Sequence, residues 1–192
     1  MAETRERIVA AALEQVAAGG YASASIQSVA RRANVATGSV YRHFSSKAVL
    51  FAEVFNRAAE PELAVVQRVA AETQGTAGER IAAAAEAFAR RALAGPVLAY
   101  AQLAEPVGPA VEAERLRLRR GYRDAFALVL REGVEAGELA PHDTDTYAAA
   151  MVGALGEALV GPLAERRSGE ALVANLIQFV TAAVPTRIPL EA

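Results

Sequence analysis

The chain has 192 residues, enough for one large or two small domains, and its 22 acidic and 20 basic side chains leave a formal net charge of -2. With no cysteine, disulfides and thiol catalysis are excluded, and any cue of secretion goes with them. The longest uncharged run, 171 to 186, is 16 residues interrupted by Asn175, Gln178 and Pro185, which falls short of the ~20 that a membrane span requires. The opening MAETRERI is charged from the start and is unlike a signal peptide, so a soluble cytoplasmic protein with no membrane partner is expected. Alanine fills 47 positions, and valine and isoleucine form no alternating runs, which predicts an all-α chain.

Three helices are predicted before residue 50. The second opens at Ser25, whose hydroxyl can cap the free amides ahead of Ile26, Val29 and Ala30, an apolar face at helical spacing. It ends near Arg32 to Ala33. Asn34 falls where the chain must reverse, and Asn tolerates positive φ better than any other non-glycine residue, so the turn costs little. Val35 plugs the corner. Thr37, Gly38 and Ser39 begin the third helix, with Val40 and Phe44 four apart on its inward face. Phe44 is thus expected in the core. Thr37, Ser39, Arg42 and His43 face outward, with Tyr41 on the flank between packing and phosphate contact.

Small side chains at a helix start let it approach a DNA backbone closely, while guanidinium and imidazole groups reach phosphates or base edges in the major groove. His43 is read as a phosphate contact, with a structural role as the alternative. Arg31 and Arg32 suit a helix C-terminus and solvent better than DNA. Ser45 or Ser46 caps the next helix. Lys47, in its first turn, sets a cation where a phosphate beside a helix N-terminus would lie, an otherwise unfavourable place for a lysine. Charge follows the same division: residues 1 to 50 hold six basic and three acidic side chains, net +3, so the remainder carries -5. That footprint is modest, and binding should rely on dimerisation and weaken with salt.

Six further helices are predicted, over 46–72, 77–94, 97–104, 110–136, 144–165 and 169–183, separated at glycines and prolines. In the 110–136 helix, Leu116, Leu118, Tyr122, Ala125, Phe126, Val129, Leu130 and Val134 form one broad apolar arc, and Arg115, Arg119 and Arg123 fall inside it. Arg117, Arg120, Asp124 and Arg131 face the other way. Three stacked guanidiniums call for anionic compensation. Glu112, Glu157, Glu86 or Glu105 would supply it internally, the simpler reading, and an effector carboxylate or phosphate is the alternative. In the ligand reading, Phe88, Tyr100, Tyr122 and Phe126 form apolar walls around Arg119, Arg123 and Glu157.

From Tyr147 to Leu163 only Glu157 is charged, and Ala149, Gly153, Gly156 and Gly161 permit close backbone approach. A helix apolar all round must be covered on every side. The last helix, with Leu172, Leu176, Ile177 and Val180, offers a second apolar face. Two such pairs make a four-helix homodimer interface. A large monomeric core is the alternative.

Ile8-Val9, Ala12-Leu13, Gly20-Tyr21 and the stretch ANVATGSVYRHFSSKAVLF together resemble the N-terminal DNA-binding domain of the TetR family over residues 4 to 55, with a specific core from Tyr41 to Lys47. The family pattern often has Gly where this chain has Asn34 and Ser where it has Ala36. Asn keeps the turn, and Thr37 is expected to replace the lost cap. The resemblance implies a three-helix helix-turn-helix domain at residues 1–47 and an effector-binding and dimerisation domain at 48–192. It also implies no cofactor and a homodimer on palindromic double-stranded DNA, acting as a repressor released by a small-molecule effector. Arg42, Thr37 and Gly38 would then lie nearest the bases, with Ser25, Ser39, Tyr41, His43 and Lys47 on phosphates.

An enzyme is disfavoured. Neither His43 nor His142 follows a glutamate three residues earlier, as di-iron bundles need, and no phosphate-binding or nucleophile-elbow motif occurs. A sequence-neutral architectural DNA binder is the remaining rival. It predicts similar affinity for every duplex, whereas a repressor prefers its operator by at least ~10³-fold.

Overall fold

The computed structural model describes residues 2–167 and 169–186, and among these the chain forms nine α-helices: α1 Ala2–Gly19, α2 Ile26–Arg32, α3 Thr37–His43, α4 Lys47–Glu72, α5 Ala77–Ala94, α6 Pro96–Leu103, α7 Pro109–Glu135, α8 Thr144–Ala164 and α9 Glu170–Ala182. Each predicted break lies within a residue or two of an observed one, because Gly and Pro stop helices for local reasons that distant packing rarely overrides.

The first three helices close on a small apolar core of Ile8, Val9, Val16, Ile26, Val29, Val40 and Phe44. Ser25 and Ser28 cap α2 reciprocally, and the Ser28 hydroxyl also donates to Gln15 on α1 at 2.7 Å. Asn34 takes φ 53°, as the reversal requires. Sequence reasoning missed what holds the turn: the Arg7 guanidinium donates to the carbonyls of Ala33 and Asn34, at 2.8 and 3.2 Å.

Helix α4 belongs to both halves of the molecule. Its first turns bury Leu50, Phe51, Val54 and Phe55 against α1, and farther along Val66 and Ala70 enter the second core. Its long partner there is α7. The two approach so closely that a Cβ on Gly121 would lie 2.5 Å from Leu63 Cδ2. Ile81, Ala84, Ala85 and Ala89 of α5, with Phe126, Val129 and Leu130 of α7 and Met151, Leu155 and Leu159 of α8, fill the space between.

Two expectations are corrected. The uncharged-run test passed over α8, which by length and composition is apolar enough to cross a membrane even with Glu157 in it; here one stripe of it, Ala148, Met151, Leu155, Leu159 and Leu163, packs on the bundle. On α9, Leu176 and Val180 are not free for a partner. They are buried with Val173 inside their own subunit, where α9 lies along α5 and Arg90 pairs with Glu170 at 2.8 Å. The face that α9 leaves outward carries Ala174, Gln178, Phe179 and Ala182.

Candidate DNA-reading face and effector cavity

Helix α3 presents Thr37, Gly38, Tyr41 and Arg42 to solvent, with Ser39 and His43 half-buried and only Val40 fully inward. Tyr41 is 52% exposed, so the flank position resolves away from packing. No atom lies within 4 Å of a Cβ added to Gly38, so the protein's own packing does not demand glycine there. An open, side-chain-free spot on an exposed helix suits close approach of another backbone. Arg42 donates to the Ser39 hydroxyl at 2.6 Å, which sets the guanidinium across the helix surface. Phe44 is buried, with the Arg5 guanidinium 4.9 Å from its ring centre.

The caps refine the sequence reading. Ser46, not Ser45, caps α4 by accepting from the Val49 amide at 3.2 Å. Ala36 precedes α3 with no side-chain cap, and Thr37 does not supply one. The Lys47 ammonium lies over the Phe51 ring, 5.2 Å from its centre, a cation–π contact on an otherwise exposed residue. Ser25 is half-buried and its oxygen is already committed to the α2 cap. Arg32 pairs with Glu14 at 2.5 Å, in keeping with a surface role.

Between α4, α5, α6, α7 and α8 lies a cavity of about 830 Å³, within the size range of small-molecule sites. Val66, Phe88, Leu98, Leu103, Leu118 and Tyr122 make it largely apolar. Phe88 and Tyr122 meet edge to face at 5.2 Å between ring centres. Burial, reinforced by the nearby Glu62 carboxylate, pushes the Tyr122 phenol above its ordinary value and keeps it a hydrogen-bond donor. The charged lining consists of Glu62, Arg91, Arg115, Arg119, Arg120, Arg123 and Glu157.

Arg115 leads from this cavity to the amino-terminal domain. It is buried, donates to the carbonyls of Ala101, Gln102 and Glu105, and pairs with Glu112 at 2.6 Å. Glu105, also buried, stands in the α6–α7 corner and accepts from the backbone amides of Tyr21 and Ala22, each at 2.8 Å. Those amides belong to the turn between α1 and α2. Gly20 makes the contact feasible: its φ is 76°, and a Cβ there would sit 2.5 Å from the Glu105 carboxylate. One carboxylate thus ties the α6–α7 corner of the second bundle to the first three helices.

Residues 8–54 match the family model for bacterial regulatory proteins of the tetR family, and residues 74–159 match that for the tetracyclin repressor-like C-terminal domain, so the two stretches span more than half of the chain. The chain belongs to the TetR family. Its place is therefore among transcriptional regulators rather than enzymes. The HTH-type transcriptional regulator SrpR of Pseudomonas putida is 49% identical over 45 residues, 23% of this chain and 21% of that protein. The HTH-type transcriptional repressor KstR of Mycolicibacterium smegmatis is 40% identical over 68 residues, 35% of this chain and 33% of that protein. The chain thus spans about a fifth and a third of the length of these curated relatives. The fold is shared over nearly the full length with FadR from Bacillus subtilis, solved in complex with stearoyl-CoA, at TM-score 0.79 and 20% identity, covering 93% of this chain and 98% of that one. FadR from Bacillus halodurans superposes at TM-score 0.76 and 19% identity, over 96% and 97% of the two chains.

Within this TetR-family bundle the predicted ligand residues separate. Phe88, Arg119, Tyr122, Arg123 and Glu157 line the cavity; Tyr100 and Phe126 do not, and Phe126 is packed in the core. Arg120, expected to face away, lines the cavity too, since its long side chain reaches beyond the arc in which its Cβ lies. Ala149, Gly153 and Gly156, expected at a subunit interface, stand on the cavity wall. Gln102 and Arg91 were missed as site residues, and Glu105, expected only as a candidate counter-charge for the arginines, instead spends its carboxylate on the Tyr21 and Ala22 amides. Only the breaks flanking α6 hinted that this corner mattered.

Proposed function

We propose that this TetR-family regulator is a homodimeric repressor that grips a palindromic operator with two α3 helices and releases it when a small molecule enters the cavity. The link from the cavity through Arg115 and Glu105 to the Tyr21–Ala22 turn carries this reading. A ligand that repositions α6 or Arg115 changes the hydrogen-bond geometry of Glu105, and its differential affinity for the two arrangements sets how far operator affinity falls. That the B. subtilis FadR fold neighbour was solved with stearoyl-CoA supports a small-molecule effector.

The proposed dimer surface is the outward side of α8 and α9. Tyr147 and Phe179 are exposed there, 37% and 54%, beside Ala150, Ala174 and Ala182. One shallow apolar hollow is lined by Phe179 with Thr146, Tyr147, Ala150 and Met151, and a second lies along α9 between Ala174, Ile177, Gln178 and Thr181. On the operator, Arg42, Thr37 and Gly38 read bases, while Ser39, Tyr41, His43 and Lys47 hold phosphates. Ser25 contributes through its cap rather than by a free hydroxyl.

Selection of bound fragments from random duplex DNA tests the reading. A repeated inverted motif, with half-sites one helical turn or a multiple apart and at least ~10³-fold preference, is expected. Equal recovery of all sequences would favour the architectural binder instead.

A further inference from the structure

We infer that the effector is an amphiphilic anion, whose carboxylate or phosphate head rests on Arg119 and Arg120 and whose apolar body fills the interior between Phe88, Leu98, Leu103 and Leu118. The inference rests on the effector reading for its regulatory meaning, but the chemistry stands on the cavity itself.

The lining arginines are not equivalent. Arg91 is taken up by Glu62. Arg115 is consumed by Glu112 and three carbonyls. Arg123 pairs with Asp124 at 2.7 Å. Two remain: Arg119 has only a 3.5 Å approach to the Leu103 carbonyl, and Arg120 has no carboxylate within ion-pair distance among the described residues. Glu157 is the one lining carboxylate likewise left over among the described residues. A pocket wall with two unspent guanidiniums and one unspent carboxylate carries an excess positive charge that an anion neutralises.

A second observation points the same way. The side-chain amide nitrogen of Gln102, on the cavity wall, is buried and has no hydrogen-bond partner. A buried donor left empty costs free energy, and an acceptor on an entering molecule would relieve it. With the protonated Tyr122 phenol, the cavity offers donors to its occupant and few acceptors. The remaining lining is aliphatic or aromatic, so the rest of that occupant must be apolar.

The test uses the full-length protein and matched twelve-carbon probes below their aggregation thresholds: dodecanoate, dodecyl phosphate, dodecanol and a zwitterionic dodecyl ammonium carboxylate. Calorimetry on the DNA-free protein should show dodecanoate or dodecyl phosphate binding at least tenfold tighter than dodecanol, and the comparison of the two anions identifies the head. Arg119→Gln combined with Arg120→Gln should remove about tenfold of that preference, about 1.4 kcal/mol, because the charge-assisted contacts to the head are lost. Glu157→Gln should tighten the anion and leave the alcohol unchanged. Both arginines are exposed, and melting curves of the variants check that folding is intact.

Equal affinity for the alcohol, a preference for the zwitterion, failure of every anion to bind, or anion binding indifferent to the arginine substitutions would each overturn the inference. Operator release is read separately by fluorescence anisotropy. Anions that bind without releasing DNA would sink the effector reading and leave the ligand class standing, and release by neutral probes alone would do the reverse.

Discussion

Glu105 shows how much one buried carboxylate can organise. Its two oxygens accept from adjacent backbone amides, so Glu105→Gln must turn an amide N–H toward one of those donors and lose the charge that strengthens both bonds. A loss of about 1–3 kcal/mol is expected, a fall of roughly 3–10 °C in a thermal melt for a chain of this size. The same variant should keep operator binding while the effector's influence on it shrinks, measured as operator affinity with and without ligand. Tyr21 beside it makes the opposite case. Its hydroxyl is buried with no partner while its ring meets Phe51 edge to face at 5.7 Å, so Tyr21→Phe keeps the packing and removes the orphan. Its melting temperature should stay level or rise.

Burial also holds the Tyr21 phenol above the ordinary tyrosine range, with Glu105 raising it further and Arg115 opposing, and desolvation does the same at Tyr122. The folded chain therefore keeps protons that the unfolded chain surrenders above about pH 10. These two groups leave stability unchanged below that pH and erode it as pH climbs past. Tyr21→Phe should show a shallower decline in denaturant midpoint between neutrality and pH 11. An unaltered decline would mean the hydroxyl is not shielded.

At the scale of elements, the tight seam between α4 and α7 rests on Gly121. Gly121→Val sets a branched side chain against Leu63 and should cost about 1–3 kcal/mol by overpacking, seen as a lower denaturant midpoint with unchanged slope. Glycines and prolines made helix existence and bounds legible, because they act through local backbone geometry. Helix orientation was less legible. The apolar residues of α9 marked it as partly buried but could not say whether α5 or another subunit covers Leu176 and Val180, since both present the same hydrophobic surface. In α7 the conflict between charge and apolar arc was visible, yet Arg115 and Arg119 turn to carbonyls of α6 that no spacing reveals, while Arg123 pairs with its neighbour Asp124. The partners of Glu105 and Arg7 were unreadable for a related reason: each acts on backbone groups distant in sequence, which leave no mark in side-chain pattern.

For the whole molecule, residues 1 to 50 are net positive by only three charges while the remainder is net negative by five, so one protomer alone should hold DNA weakly. Phe179→Glu places a charge in the proposed dimer face at an exposed position outside the Val173, Leu176 and Val180 core stripe of α9. Light scattering should then report a monomer, and operator affinity should drop by at least tenfold at equal protein concentration. A dimeric variant with normal affinity would move the interface elsewhere. For the native protein, log affinity should fall linearly with log salt, by about 0.9 for each neutralised phosphate.

One consequence of the shared helix α4 concerns leverage. Pro61 interrupts its hydrogen-bond ladder beside Glu62, which lines the cavity, and from there to Lys47 the rod runs uninterrupted for about 21 Å. A swing of about 5° pivoting at Pro61 would carry the Lys47 end roughly 2 Å, and twofold symmetry doubles that to about 4 Å across a pair, more than the ~0.5 Å latitude of a hydrogen bond. In the proposed dimer, a guest that barely disturbs the bundle would thus suffice to pull both heads out of step with the duplex.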